Sequence, residues 1–271
     1  MDRFHSRAIS APVTVIGIDC ATAAQRIGLA RGTWERGDLL LEAATTGAAQ
    51  DPVDVVASWV EAAPHRALLC LDAPLGWPQP LGSSLVEHRA GAPLRPPSDA
   101  LFHRYTDACC YRRLGQFPME VGADRIARTA RAALALLQEV RRRTGWPIPL
   151  AWNPDHLLRA QAIETYPAAT LKARGLPNRG YKRGAQGRPA RQRLLQALAD
   201  EWRLALDLED LLANADAFDA ALCVLTGGDF LAGRCCPPPP DAIETVRQEG
   251  WIWTLDTAPA EDTDEEKDDG R

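Results

Sequence analysis

Two short apolar runs that each end on an aspartate constrain this chain more than any other feature. PVTVIGID (12–19) and RALLCLD (66–72) have the length and aliphatic content of buried strands, and they close on Asp19 and Asp72. Between them, RIGLARGTW (26–34) and DLLLEAAT (38–45) flank Glu35-Arg36-Gly37, which suits a tight hairpin turn. QDPVDVVASWVEAAP follows, with Asp51 as helix N-cap, Pro52 at the first helical position, and Val53, Val56 and Val60 on one face. Three consecutive strands, a helix and a fourth strand form an α/β unit. A right-handed crossover places the fourth strand beside the first and parallel to it.

The pattern then changes. Pro and Gly punctuate 74–97, which reads as loop, and Ile126, Ala130, Leu134, Leu137 and Val140 mark a helix over 123–143. Residues 74–161 are therefore expected to be a partly helical insertion between strands four and five. AIETYPAA (162–169) reads as a strand stopped by Pro167. Leu194, Leu195, Leu198 and Trp202 mark one amphipathic helix. A second is expected over 209–226, with a narrow stripe of Leu211, Ala215, Phe218, Leu222 and Leu225, and GWIWTLD (250–256) reads as a closing strand. Charge separates one further segment. Residues 259–271 alone carry the net −5 of the chain, leaving a neutral body, so the expectation is one domain over 1–258 and a solvated acidic tail over 259–271.

Several classes fall away. No stretch approaches the roughly 18 apolar residues of a membrane span, and MDRFHSRAIS lacks the apolar core of a secretory signal. Seven cysteines without a signal argue against a disulfide framework, and Cys109-Cys110 and Cys235-Cys236 lack zinc-site spacing. A reduced, cytoplasmic protein is the expectation.

The acids carry the chemistry. The carboxyl ends of adjacent parallel strands form the ligand crevice of an open α/β sheet, so Asp19 and Asp72 belong there. Either could simply cap a turn, but two carboxylates so close call for a cation, and oxygen ligands suit Mg²⁺ or Mn²⁺. In NADAFDAALCVLTG, Asp216 and Asp219 stand three apart on one helix flank amid alanines. Asp216 alone would suit a helix N-terminus; Asp219, between apolar neighbours, is harder to explain without a partner. Glu164, within a short strand, fits a metal ligand or an arginine partner equally. Residues 172–193 hold eight Lys or Arg and no acid, a phosphate-binding patch or a solvated loop. Lys172, Lys182 and Arg183 in this segment are candidate substrate contacts.

Together, GIDCA, LDAPLGWP and DAFDAALCVLTG look like the ribonuclease-H-like nuclease superfamily, and the helical DxxD pair is especially similar to that of its Holliday-junction resolvases. With RYTDACCYRRLG, ADRIARTA and IETYPAATLKARGLPNRGYK, the chain resembles a prokaryotic family of predicted nucleases catalogued as domain of unknown function 429, over roughly residues 14–232. The resemblance implies a mixed five-stranded sheet of order 3-2-1-4-5 flanked by helices. It implies a metal-dependent phosphodiesterase centre at Asp19, Asp72 and the Asp216/Asp219 pair, with Glu164 close by. Arg104, Thr106 and Asp107 match a further family motif, and Arg104 joins the candidate substrate contacts. The first-helix glutamate of ribonucleases H has no counterpart here, since Glu61 lies late in that helix.

The expected activity is two-metal phosphodiester hydrolysis of nucleic acid, with two Mg²⁺ or Mn²⁺ ions held by Asp19, Asp72, Asp216 and Asp219. Trp77 or Trp152 is available to stack on a base. Two other classes share the fold. An actin-like or sugar-kinase-type nucleotide-binding phosphotransferase needs a glycine-rich phosphate loop, for which Gly227-Gly228 is the one candidate, and a non-catalytic binding protein would keep the acids as structural ion sites.

Overall fold

The computed structural model describes residues 11–122 and 124–257; the acidic segment 259–271 lies outside them. The strands are β1 Val13–Asp19, β2 Gly28–Glu35, β3 Asp38–Thr46, β4 Arg66–Asp72, β5 Ala160–Glu164 and β6 Arg203–Leu204. The helices are α1 Pro52–Ala62, α2 Gln79–Leu85, α3 Ser98–Phe102, α4 Tyr105–Leu114 and α5 Asp124–Thr144, then α6 Pro167–Ala173, α7 Arg188–Ala197, α8 Leu208–Leu212, α9 Ala215–Leu231 and α10 Ile243–Glu249.

The protein is α/β, with one mixed sheet of order β5-β4-β1-β2-β3-β6 flanked by helices. β1 pairs antiparallel with β2 and parallel with β4, as the hairpin and crossover require. The expected five strands become six, because two residues after α7 pair in parallel with Leu40 and Leu41 of β3. So short a strand has no alternation to reveal it in the sequence.

Alternation along the strands sorts the core into two faces. Val13 and Val15 of β1 and Leu68 and Cys70 of β4 face α9; Ile16, Ile18, Leu69 and Leu71 face α1 and α5. Asp51 caps α1 by accepting from the N–H groups of Val53 and Asp54, with Pro52 in the first turn. Among the described residues, no helix is long and apolar enough to cross a membrane.

Five local expectations change. The 209–226 helix is two, because Asn214 accepts from the N–H groups of Asp216 and Ala217 and begins α9 afresh. α9 has no narrow stripe: from Ala217 to Leu231 it is buried on every side, as a helix running across a sheet beneath other elements must be. Pro167 does not stop a strand but opens α6, β5 having ended at Glu164. The segment 250–256 forms no strand, only isolated bridges of Ile252 to Glu164 and Leu255 to Cys235. Within the insertion, α2 occupies part of the expected loop.

α9 approaches the sheet so closely that glycine is required beneath it. A Cβ on Gly17 would lie 1.9 Å from the Ala220 carbonyl oxygen, and one on Gly28 would lie 1.9 Å from that of Asp216. Gly227 and Gly228 serve the same contact against Val15, Cys70 and Leu39, so they are packing residues inside a helix and not a phosphate loop. Gly17→Ala is therefore expected to lower stability by about 1–3 kcal/mol, because the obstructing atom is backbone and cannot rotate away. A fall in the thermal midpoint by differential scanning calorimetry checks this.

Candidate functional site

The strand ends, α9 and one turn of the basic segment build an acidic centre. Asp19 and Asp72 are direct partners in the parallel register of β1 and β4. Both continue the alternation of Val15, Gly17, Leu68 and Cys70, so they fall on the face that carries α9. The glycine contact brings α9 down until Asp219 joins them. One carboxylate oxygen from each of Asp19, Asp72 and Asp219 lies within 4.8 Å of the others.

Such crowding has an electrostatic consequence. Burial, with the charges of Asp219 and Asp72, raises the Asp19 carboxyl well above its ordinary range. Burial likewise pushes Asp72 up to about 7, against the opposing pull of Lys182. Asp219 is raised by burial, again opposed by Lys182. Three carboxylates that resist ionising together form a site that gains from a cation.

The chain supplies part of that cation itself. The Lys182 ammonium is ion-paired with Asp219 Oδ2, and the Tyr181 hydroxyl donates to Asp219 Oδ1 at 2.8 Å. Burial works against the Lys182 charge, but Asp219, Asp72 and Asp19 outweigh it and raise its pKa. Tyr181 is fully buried and its pKa is raised, by burial first and then by Asp219. Arg191, also fully buried, fixes this turn by donating to the carbonyls of Tyr181, Gly184 and Leu212. Lys182, expected to meet substrate phosphate, thus contacts Asp219 directly.

Other expected site residues lie elsewhere. Asp216, in the first turn of α9, is held at the mouth by Arg26, whose Nε and Nη2 donate to it at 2.8 and 3.2 Å, so it stands outside the triad. Glu164 resolves to an arginine partner. Its Oε1 accepts from Arg104 Nη2 at 2.7 Å, and its Oε2 accepts from Arg104 Nη1 at 2.9 Å and the Leu75 N–H at 3.0 Å. Arg104 is buried, and its five N–H groups are all engaged by Asp107, Glu164 and the Glu249 carbonyl. It has no donor left for substrate. Thr106 accepts from the Ile252 N–H, so the Arg104–Asp107 motif ties α4 to β5 and to the segment after α10.

The basic segment is divided between structure and surface. Arg174 pairs with Asp229, Arg188 with Glu209, and Arg191 is internal. Lys172 is exposed and donates to the Gly115 carbonyl at 3.0 Å; Arg179, Arg183 and Arg193 are also exposed. Trp152 packs against the α9-side core.

Sequence reading missed Tyr181, although it stands beside Lys182 in RGYKR, because nothing local marks a tyrosine as the partner of a residue 38 positions away. Glu249 was missed too. Its carboxylate accepts from the N–H groups of Gln79 and Tyr105, the first residues of α2 and α4, neither of which has a capping side chain that accepts from its first N–H.

Over residues 17–243 the sequence matches the family described as "Protein of unknown function (DUF429)". No curated protein and no solved structure matches the chain.

Proposed function

From the chain's membership of the DUF429 family, which that match over most of its length establishes, we propose that it is a metal-dependent phosphodiesterase acting on nucleic acid, built on a ribonuclease-H-like sheet in which β6 is an edge addition. The observation that carries this reading is the convergence of Asp19, Asp72 and Asp219 from three separate elements to within 4.8 Å. Their donor set is three carboxylates, hard oxygen ligands suited to Mg²⁺ or Mn²⁺. Asp19, whose carboxyl feels the charges of both Asp219 and Asp72, would hold such ions together with Asp72 and Asp219. When bound, such ions supply Lewis acidity toward a phosphoryl oxygen and toward water.

The chain's own residues do the rest. Tyr181 fixes the orientation of Asp219 through its hydroxyl. Lys182 balances the acids, and its half-exposed side chain is free to swing from Asp219 toward a phosphate. Arg26 pairs with Asp216 beside the triad, where Asp216 would be a further carboxylate for an ion held there. Among the remaining bases, exposed Arg179, Arg183 and Arg193 are available to a nucleic-acid backbone.

Calorimetric titration with Mn²⁺ tests the reading. Saturable binding, lost in Asp219→Asn, is expected; wild-type protein that takes up no divalent ion overturns it. Lys182→Met removes the internal cation and leaves the acids unbalanced. Its thermal midpoint should therefore rise on adding Mn²⁺ by more than the wild type's, by several degrees at the ~2–4 °C per kcal/mol of a chain this size. Scanning fluorimetry with and without Mn²⁺ reads the difference.

A further inference from the structure

The acids of the centre already have a cation among them. The Lys182 ammonium is ion-paired with Asp219 Oδ2, and the charges of Asp72 and Asp19 act on it as well. Asp219 Oδ1 accepts from the Tyr181 hydroxyl, so both oxygens of that carboxylate are in use. Asp216, the fourth acid that a second ion could enlist, is matched by two N–H groups of Arg26. Two hollows of about 210 and 480 Å³ flank the centre, and among the described residues Lys182 is the one basic side chain that lines both. An ion entering by either meets an ammonium already in place.

The chain holds this lysine with more structure than a surface ion pair needs. The carbonyls of Tyr181, Lys182 and Arg183 accept in turn from the Arg191 guanidinium, the Gly184 N–H and the Gly187 N–H. Gly187 lies so close beneath them that a Cβ there would sit 2.2 Å from the Tyr181 carbonyl oxygen. Arg191 is fully buried, a placement that is costly unless its donors are used. An exposed ion pair contributes about 0–1 kcal/mol, too little to account for a buried arginine and three fixed carbonyls. Their joint effect is a rigid turn that presents one ammonium to three carboxylates.

Charge then limits how many ions fit. A bound ion requires the carboxylates in their ionised form. Three carboxylates and one ammonium carry two negative charges in all, and one divalent ion neutralises them. A second ion would have to lie near that ammonium, at like charge and short range. Without the ammonium the three carboxylates exceed the charge of one ion, and a second gains a place.

We infer that Lys182 is the second cation of this centre: the chain takes up one divalent ion at Asp19, Asp72 and Asp219, and the Lys182 ammonium stands where a two-ion centre would hold its other ion. This rests on the metal-dependent reading and changes its ion count. An ammonium in that place stabilises negative charge on a phosphoryl oxygen without a further metal.

Counting bound Mn²⁺ separates this inference from turnover. The full chain is titrated with MnCl₂ alone, and the free ion is read from the electron paramagnetic resonance signal of hydrated Mn²⁺. Wild type should saturate at one ion per chain. Lys182→Met should saturate at two, and Lys182→Arg, which keeps the charge, should stay at one. A Lys182→Met chain that still takes one ion gives Lys182 a structural role only and overturns the inference, as does a Lys182→Arg chain that takes two. Wild type that takes two also overturns it, because the ions would then displace the lysine; that count stands even if Lys182→Met folds poorly. In each of these cases an ion still binds, and the metal-dependent reading survives. Wild type that takes none overturns that reading and this inference with it.

Discussion

Asp19→Asn is expected to reduce Mg²⁺- or Mn²⁺-dependent cleavage of an oligonucleotide by ~10³-fold or more while leaving the thermal midpoint unchanged or higher. The two effects share a cause. Asp19 is held against two other carboxylates at a place that burial makes unfavourable for charge, so the folded protein resists its ionisation. An amide of the same shape removes that repulsion, and with it the oxygen charge that a divalent ion requires. A structural aspartate behaves in the opposite way, because its removal lowers stability and spares activity. Gel-resolved cleavage and scanning fluorimetry on the same preparation separate the cases. Cleavage at the wild-type rate by the variant would sink the assignment of Asp19.

The largest stability effect is expected at Arg104. Arg104→Met removes the one guanidinium that serves Asp107 and Glu164 and leaves two buried carboxylates facing one another. Breaking a buried ion pair from one side costs about 3–5 kcal/mol, and the midpoint of a chain this size falls by about 2–4 °C per kcal/mol. A drop on the order of 10 °C should result, seen in calorimetric or urea unfolding. Arg104→Lys should recover only part of it, since an ammonium cannot reproduce five donors in one plane. A variant that melts like wild type but fails to cleave would return Arg104 to the substrate.

The contrast between Asp19 and Arg104 shows what could be read from the sequence. Strands that end on Asp19 and Asp72 carry their own evidence, because period-two alternation sets the face of each residue and a hairpin with a crossover sets their neighbours. Asp219 was legible for a related reason: an acid enclosed by Ala217, Phe218, Ala220 and Ala221 on a helix has to face something polar. Its companion was not separable by spacing. Asp216 and Asp219 share a flank, but only the position of Asn214, which begins α9 just ahead of Asp216, leaves the first acid at the rim within reach of Arg26. The roles of Glu164 and Arg104 depend on each other across 60 positions, and no local pattern chooses between a metal and a guanidinium. Basic residues in 172–193 were visible as charge, yet Arg174 and Arg191 are claimed by Asp229 and by carbonyls that only the folded chain brings near. β6 escaped because two residues have no periodicity.

Glu249 ties the order of synthesis to the order of assembly. The first 72 residues can pair four strands and set Asp19 beside Asp72 soon after they leave the ribosome, but the first turns of α2 and α4 wait for a carboxylate that is translated some 170 and 144 positions later. Until then α2 and α4 lack the carboxylate that accepts from their first N–H groups. A nascent chain therefore carries the Asp19–Asp72 pair without the helix that completes the triad until Asp219 is added, and without the carboxylate that holds α2 and α4 until Glu249 follows.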